Sequence, residues 1–179
     1  MTSSPSFLTT IAVRPEIASD RPQIASLLRR AFGGTDEATL VERLADEGYV
    51  VLSLVAHREG TVLGQILFSR LTIANENGQH DALALAPLAV DPDQQRQGIG
   101  TKLVLCALED LQKLGHKRVI VLGHPEYYRR FGFSSDLARK LNCAFSGHEA
   151  FMALEWSTKS EPSELHGTLT YPPPFGVFT

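Results

Sequence analysis

Hydrophobic and polar residues recur along this chain with two different periods, and these periods predict its elements. Runs typical of strands span residues 11–14, 49–57, 61–73, 83–90, 118–122, 151–156 and 168–171. Apolar residues with helical spacing predict three helices, one after Asp20, one after Thr35 and one at 99–114. A brief fourth helix is predicted at 127–131. Asp20 is expected to cap the first helix, with Gln23 completing a capping box. This order predicts an α/β (α+β) fold, with one mixed sheet and helices on both faces.

The clearest local pattern is a strand–turn–helix from Leu83 to Leu114, whose turn reads Gln95-Arg96-Gln97-Gly98-Ile99-Gly100. The first N–H groups of a helix lack helical acceptors, and together with the helix dipole they attract an anion. Glycines let a phosphate approach such a backbone closely. The glycine spacing is not that of a P-loop, and Leu103 stands where a dinucleotide fingerprint needs its third glycine. The turn alone leaves open a phosphate site or a helix start without a ligand.

Composition and charge narrow the class of protein. A chain of 179 residues with 43% apolar and 21% charged residues is typical of one soluble globular domain. The net charge of −3 and the lack of a long basic stripe disfavour nucleic acid as the main partner. No apolar run reaches the roughly 18 residues of a membrane span, and the N-terminus has no secretory pattern. Cys106 and Cys143 fit neither a disulfide framework nor a metal spacing, so we expect reduced thiols in a cytoplasmic protein.

The segments on either side of the turn carry a family resemblance. With Leu88-Ala89-Val90-Asp91-Pro92 before the turn and the run from Tyr127 to Phe133 (YYRRFGF) after it, the chain resembles the GNAT superfamily of CoA-dependent N-acetyltransferases. It is similar to a subgroup of small bacterial predicted acetyltransferases, but Ala86 replaces that subgroup's usual glycine and His124 its usual acidic residue. The resemblance implies a mostly antiparallel sheet with a central, splayed parallel strand pair. We expect a flexible tail at 1–9, the acetyltransferase domain at 10–156 and a C-terminal extension at 157–179.

The resemblance also implies a co-substrate, acetyl-CoA, and no metal. The family's pyrophosphate loop corresponds to residues that would bind phosphate chiefly through backbone N–H groups: Gln95, Arg96, Gln97, Gly98, Ile99, Gly100 and Thr101. The pantetheine arm would pair with the strand end at Leu88, Ala89 and Val90 like an added strand. The same strand residues suit an ordinary core, and the side chains of Arg96 and Gln97 suit an ordinary polar surface, so both alternatives stay open.

Proton transfer points to one tyrosine. A lysine-type amine has a pKa near about 10.4 and must lose a proton, whereas a thiol leaving group has a pKa of about 8.5. A phenol, with a pKa of about 10, can donate a proton to the departing thiolate. The resemblance assigns this role to Tyr128, which precedes the Gly-Phe pair and would hydrogen-bond the CoA sulfur as general acid. The adjacent Tyr127 is expected to be a packing residue.

The general base is not defined by any pattern. Candidates by residue type alone are Glu37, His57, His80, Asp81 and His124. Glu37 is preferred because the two-helix segment lines the acceptor side in the family, although an acid in a first turn also simply favours the helix dipole. His124 follows the strand at 118–122 and therefore ranks before His57.

The leading hypothesis is an acyltransferase that moves an acetyl group from acetyl-CoA to a primary amine of a small molecule or a protein. Three alternatives remain: a CoA-binding sensor or interaction module without turnover, a glycine-turn protein for another phosphate ligand, and an acyltransferase for a longer acyl-CoA. Neither nucleic acid nor a membrane is an expected partner. The C-terminal segment covers either the domain's own core or a partner subunit, which leaves a homodimer open.

Overall fold

The computed structural model describes residues 10–156 and 163–178, which are arranged around one mixed sheet. The strands in these residues are β1 (Ala12–Pro15), β2 (Val50–Arg58), β3 (Thr61–Asn75), β4 (Gly78–Val90), β5 (Arg118–Leu122), β6 (Leu141–Asn142), β7 (Phe151–Glu155) and β8 (Gly167–Thr170). The α-helices are α1 (Arg21–Phe32), α2 (Asp36–Asp46), α3 (Ile99–Lys113), α4 (Pro125–Tyr128) and α5 (Ser135–Ala138). Short 3₁₀ turns span Ala18–Asp20, Pro92–Gln94, Arg129–Phe131 and Pro173–Phe178. Within the described residues, no helix has the length and apolar character of a membrane span.

The sheet has the order β1-β2-β3-β4-β5-β7 and is antiparallel except between β4 and β5. Past the end of β2, the same edge of β3 pairs with β8, which in turn pairs with β6 in parallel. The prediction of a mixed, mostly antiparallel sheet with a central parallel pair is therefore confirmed. The continuous apolar run of β5 fits its position between two strands.

Helices cover both faces of the sheet, as predicted. On one face, α3 buries an apolar stripe that includes Leu103 and Leu111 against β3, β4 and β5. On the other face, α1 and α2 bury Leu27 and Leu44 against β2 and β3. The described part of the C-terminal segment continues this second layer, because Leu169 is buried among residues of β3, β4 and β5. The site must therefore lie where these two layers leave the sheet uncovered.

The predicted cap of α1 is wrong in its chemistry, although the helix begins where expected. The Asp20 side chain makes no capping hydrogen bond to α1. Its carboxylate accepts hydrogen bonds from the Arg14 guanidinium at 2.6 and 2.9 Å and from the Ile17 N–H at 2.9 Å. Gln23 completes no capping box either, because its side chain accepts from the Val62 N–H at 3.0 Å. A charged partner on the adjacent strand strengthens the bond to a buried carboxylate more than a helix amide would.

Several element boundaries also differ from the sequence-based expectation by one or two residues, and the start of β4 differs by five. β4 begins at Gly78 rather than Leu83, because its polar first residues complete a ladder with β3 that extends to the Asn75–Gly78 pair. The brief helix expected at 127–131 begins at Pro125 as α4 and continues as a 3₁₀ turn to Phe131. The tail expected at 1–9 and residues 157–162 lie outside the described residues.

Candidate active site

The central feature of the candidate site is a gap between β4 and β5. The two strands pair only where Leu83, Ala84 and Leu85 face 119–121. Just beyond this pairing, β4 has a bulge. Leu85 faces Phe68 and Leu88 faces Ile66, so two residues of β4 lie opposite a single residue of β3. Such a bulge bends its strand and locally ends the regular pairing. The last three residues of β4, Leu88, Ala89 and Val90, therefore pair with β3 alone, and their other edge faces what we call the strand gap.

Backbone polar groups line the β4 side of the strand gap. The Asp91 N–H donates to the Leu63 carbonyl at 2.9 Å, and antiparallel pairing alternates from residue to residue. Ala89 therefore directs its backbone groups to β3, whereas Leu88 and Val90 direct theirs into the gap. The Gln95 side-chain amide donates to the Val90 carbonyl at 3.3 Å, as this direction requires. Of the three predicted strand residues, two thus present hydrogen-bonding groups to an added chain.

The turn after β4 leads directly to an uncapped helix start. The side chains at 95–97 and Gly98 are exposed, and Gly98 takes the left-handed φ of 82° just before α3 begins at Ile99. No side chain caps this end, and Lys102 is bonded through its N–H to the Gly98 carbonyl at 2.9 Å. The N–H groups of Ile99, Gly100 and Thr101 consequently have no helical acceptor. The structure brings all the predicted turn residues to the same end of β4.

Tyr127 joins the strand gap to this helix start. A Cβ atom on Gly100 would lie 2.8 Å from the Tyr127 hydroxyl oxygen and 3.6 Å from Val90 Cγ2. The tyrosine ring packs edge-on against Tyr128 and Phe131 at centroid distances of 5.0 and 5.3 Å. Its hydroxyl is buried and makes no hydrogen bond of good geometry to any residue that the structure describes. Burial raises the pKa of Tyr127, and its proximity to Thr101 partly offsets that rise.

Tyr128 lies on the other side of the strand gap, at the end of α4. Its side chain is buried, and its ring packs edge-on against Phe133 at 5.7 Å. Gly123, directly after β5, provides the space for the ring, because any Cβ there would overlap it. Burial, and next the neighbouring Tyr127, raise the pKa of Tyr128 far above its ordinary value. Its hydroxyl is therefore protonated at neutral pH, as a phenol with the ordinary pKa of about 10 already is.

The chain has known counterparts in both sequence and fold. The family model described as Acetyltransferase (GNAT) domain matches residues 12–135. This chain belongs to the GNAT acetyltransferase family. The Escherichia coli K12 protein described as uncharacterized N-acetyltransferase YhbS is 35% identical over 167 residues, which are 93% of this chain and 99% of YhbS. The uncharacterized N-acetyltransferase YjhQ of the same strain is 42% identical over 117 residues, 64% of this chain and 65% of YjhQ.

Solved structures of GNAT proteins agree with this assignment. The crystal structure of Escherichia coli YhbS in complex with CoA has a TM-score of 0.84 at 32% identity, covering 98% of this chain and 96% of that one. A GNAT family acetyltransferase from Brucella melitensis, in complex with acetyl-CoA, has a TM-score of 0.76 at 29% identity, covering 93% and 99% of the two chains. The family and fold expected from the sequence are thus confirmed.

Two potential bases of this GNAT domain lie far from the strand gap. His80 and Asp81 are near the beginning of β4, and at about 3.4 Å per residue they are roughly 30 Å from its end. His80 Nε2 is 3.1 Å from Asn75 Oδ1 and 3.4 Å from Glu164 Oε2. These contacts give His80 a structural role between the β3–β4 hairpin and the C-terminal segment.

The other three candidates have different surroundings. Glu37 is half-buried in the first turn of α2. His57 lies near Asp20 on the α1 face, with its Nδ1 buried and without a partner among the described residues. His124 is exposed and directly precedes α4, and its carbonyl accepts hydrogen bonds from the N–H groups of Tyr127 and Tyr128. His124 alone among the five therefore belongs to the segment that carries Tyr128.

A polar cluster that no sequence pattern indicated lies beneath α1. Ser53 Oγ donates to Glu16 Oε2 at 2.5 Å. Gln65 Nε2 lies 3.3 Å from the same oxygen and 3.2 Å from Ser53 Oγ. Gln65 is fully buried, and its Oε1 has no partner among the described residues. We call these three residues the Glu16 cluster; the only sequence signal for it is a polar residue inside an apolar run of each strand, Ser53 in β2 and Gln65 in β3.

Neither metal ligands nor a disulfide contribute to the described structure. In residues 10–156 and 163–178, no three His, Cys, Asp or Glu side chains are arranged to hold a metal ion. Cys106 and Cys143 both have free thiols.

Proposed function

We propose that this protein transfers an acetyl group from acetyl-CoA to a primary amine of a small molecule or a protein. The observation that carries the proposal is the continuity of the site. The exposed backbone edge at Leu88 and Val90 leads without interruption to the uncapped start of α3, where Val90 and Gly100 are neighbours. An extended chain with amides at one end and phosphates at the other is complementary to such a surface. The CoA and acetyl-CoA complexes of the two similar GNAT structures support the same ligand.

Each segment of the site has its own binding role in this proposal. The N–H groups of Ile99, Gly100 and Thr101 bind the pyrophosphate, and the exposed Arg96 and Gln97 add side-chain donors. Leu88 and the N–H of Val90 bind the pantetheine amides, as an added strand would. Gln95 holds the Val90 carbonyl and so orients the end of β4 rather than binding the ligand at that atom.

Tyr128 supplies the proton for the chemical step. The amine nitrogen forms a bond to the acetyl carbon, the bond from that carbon to sulfur breaks, and the amine gives up a proton to water. Tyr128 donates its hydroxyl proton to the departing sulfur and regains one from solvent. The hydroxyl of Tyr128 carries this proton at neutral pH, as any phenol with a pKa of about 10 or higher does. Residues after β5 therefore hold the leaving group, while β4 holds the arm that carries it.

The test is thiol release from acetyl-CoA over a panel of amines, with the Tyr128→Phe variant. Removing the general acid is expected to lower kcat about a hundredfold, with little change in acetyl-CoA affinity measured by calorimetry. Tyr171→Phe is the matched control. Burial raises the pKa of Tyr171 as well. Tyr171 belongs to the C-terminal segment, however, where its ring packs against Phe145 and Phe175. Its variant is expected to keep the wild-type rate.

Three outcomes would contradict the proposal in different ways. An unchanged rate in Tyr128→Phe would remove the acid role of Tyr128 but not the activity. Tight acetyl-CoA binding with no thiol release for any amine would indicate a sensor. Failure to bind acetyl-CoA, with binding of ATP or NAD instead, would indicate another phosphate ligand and overturn the assignment of the turn.

A further inference from the structure

The turn after β4 is attached to two arginines from distant parts of the chain. The guanidinium of Arg30, in the last turn of α1, lies 2.7 Å from Asp91 Oδ2. The guanidinium of Arg58, at the end of β2, donates to Gln94 Oε1 at 2.8 Å. Asp91 and Gln94 come just before residues 95–97, whose side chains are exposed at the start of α3. The turn is therefore held by α1 and β2 as well as by the strand and the helix that it connects.

Asp91 fixes the direction in which the chain leaves β4. Its N–H donates to the Leu63 carbonyl at 2.9 Å, and its own carbonyl accepts from the Gln94 N–H at 2.8 Å. Its carboxylate accepts from the Asp93 N–H through Oδ1 at 3.1 Å and pairs with Arg30 through Oδ2. The Asp91 side chain is only 10% exposed, so salt screens this ion pair less than it screens a surface pair.

The helix α1 is a rigid support for Arg30. Leu27 and Leu28, just before it in the chain, are fully buried against the sheet. Near the other end of α1, the Gln23 side-chain amide donates to the Gly60 carbonyl at 3.1 Å, in the turn between β2 and β3. The dipole of the helix also favours a cation in its last turn. The position of Arg30 is therefore set by the fold and does not depend on the turn that it contacts.

The turn itself has a backbone that requires support from outside. Arg96 has a φ of 61°, in the left-handed region that residues with a Cβ atom rarely adopt. Such a conformation persists only where the surrounding contacts hold it. Residues 95–97 belong to no helix or strand, so these contacts come from the residues just before them and from α3. Without the contacts to Asp91, we expect the turn to relax to a conformation that presents fewer donors to a phosphate.

Arg30 also neutralises a negative charge in the segment that leads to the candidate phosphate site. A carboxylate without a counter-charge in this segment would repel a phosphate. The Arg30 side chain is half exposed and stays hydrated if Asp91 loses its charge. The buried Asp91 carboxylate, in contrast, is poorly hydrated if Arg30 is lost. Loss of the arginine is therefore expected to be more damaging than loss of the acid.

We propose that the Arg30–Asp91 ion pair positions the turn after β4 and thereby sets the affinity for the phosphate half of acetyl-CoA. The inference rests on the proposed function for the identity of the ligand. Both residues are positioning residues, because they act through residues 95–97 and the start of α3. The strand edge at Leu88 and Val90, assigned to the pantetheine half, is held by β3 and does not depend on the ion pair.

The two halves of the ligand test this positioning role separately. ADP represents the phosphate half and pantetheine the other half, and each is titrated into isotope-labelled protein while NMR follows the amides of Gly100 and Val90. Arg30→Met is expected to weaken ADP binding about tenfold and to change pantetheine binding by less than about twofold. Acetyl-CoA binding, measured by calorimetry, is expected to weaken about tenfold as well. Wild-type affinity for ADP, or equal weakening of both halves, would overturn the inference.

Asp91→Asn is a milder variant for the case that Arg30→Met does not fold. Its side-chain oxygen still accepts from the Asp93 N–H, and ADP affinity is expected to fall about threefold. The double variant has neither charge and is expected to bind ADP more tightly than Arg30→Met alone, because no buried carboxylate is left unpaired. Additive losses in the double variant would mean that the two residues act separately and would overturn the inference. Arg30→Lys, which keeps the charge, is expected to recover part of the affinity.

Arg29→Met is the matched control, since it removes the same charge from the neighbouring, exposed position of α1. It is expected to bind ADP and acetyl-CoA within about twofold of the wild type. A loss equal to that in Arg30→Met would show that the net charge of the helix, rather than the ion pair, determines the affinity, and would overturn the inference.

Kinetics separate the ion pair from the chemical step. Arg30→Met is expected to raise the KM for acetyl-CoA and to leave kcat unchanged, because Tyr128 lies across the strand gap from the turn. A lower kcat with an unchanged KM would overturn the positioning role. Acetyl-CoA binding that depends on Arg30, without thiol release for any amine, would instead overturn the proposed acetyl transfer, so the two failures are distinguishable.

Discussion

At the scale of single residues, Gly100 is one of two positions of the candidate site, with Gly123, where a Cβ atom has no room. A methyl group on Gly100 would meet the Tyr127 hydroxyl at 2.8 Å. Tyr127 has little room to yield, because its ring packs against Tyr128 and Phe131 and the Arg130 guanidinium lies 4.7 Å above it. Either the ring or the first turn of α3 must then move. Both movements disturb the amides that we assign to the CoA pyrophosphate.

Gly100→Ala is therefore expected to weaken CoA binding about tenfold in calorimetry. Thermal stability is expected to change little, because alanine favours a helix by up to about 1 kcal/mol over glycine and offsets part of the clash. Adding Tyr127→Phe removes the clashing oxygen and is expected to recover most of the affinity. Gly34→Ala is the control, since nothing lies within 4 Å of a Cβ there. Unchanged affinity in Gly100→Ala would show that the tyrosine does not support this turn.

At the scale of elements, α1 begins at a buried ion pair rather than a cap. Asp20 is 4% exposed, and the Arg14 guanidinium, followed by the Ile17 N–H, holds the pKa of its carboxyl below the ordinary value despite burial. Asp20→Asn leaves the guanidinium without its counter-charge, and is expected to lower the free energy of unfolding by about 2 kcal/mol in urea. Asp46→Asn, which removes the exposed partner of Arg21, is expected to cost under about 0.5 kcal/mol. Equal effects of the two substitutions would contradict this account of the helix start.

Elements defined by local pattern were predictable, whereas contacts between distant segments were not. The bounds of β5 and the start of α3 follow from an apolar run and a glycine turn, and the structure has them as predicted. The pairing of Arg14 with Asp20 depends on where β1 lies beside α1, which no local pattern encodes. The Glu16 cluster joins residues 37 and 49 positions apart in the chain. The strand gap itself depends on a bulge at Ala86, where the sequence indicated only a departure from the family.

At the scale of the whole molecule, the buried Tyr128 and the partly buried Tyr171 lie on opposite faces of the sheet and make stability sensitive to alkali. Tyr128 packs with the α3 layer, and Tyr171 packs with the C-terminal layer. Burial raises the pKa of both phenols, while the unfolded chain has phenols near about 10. The folded state therefore holds these protons more tightly. Their contribution to stability is complete below pH about 10 and is lost as pH rises from there through the folded-state pKa values.

Urea unfolding of the wild type between pH 8 and pH 11 is expected to show this loss above pH about 10, with each phenol adding up to about 1.4 kcal/mol per pH unit. Tyr171→Phe is expected to reduce the slope by one such contribution, because phenylalanine has no proton to lose. Tyr128→Phe is expected to do the same independently, since the two rings lie in separate apolar clusters and share no contact. If the free energy of unfolding of Tyr171→Phe falls with pH in parallel with that of the wild type above pH about 10, the Tyr171 phenol ionises without unfolding the C-terminal layer. Parallel slopes in Tyr128→Phe and the wild type would mean that the Tyr128 hydroxyl has the pKa of a phenol in water, about 10, and would contradict its burial in the folded state.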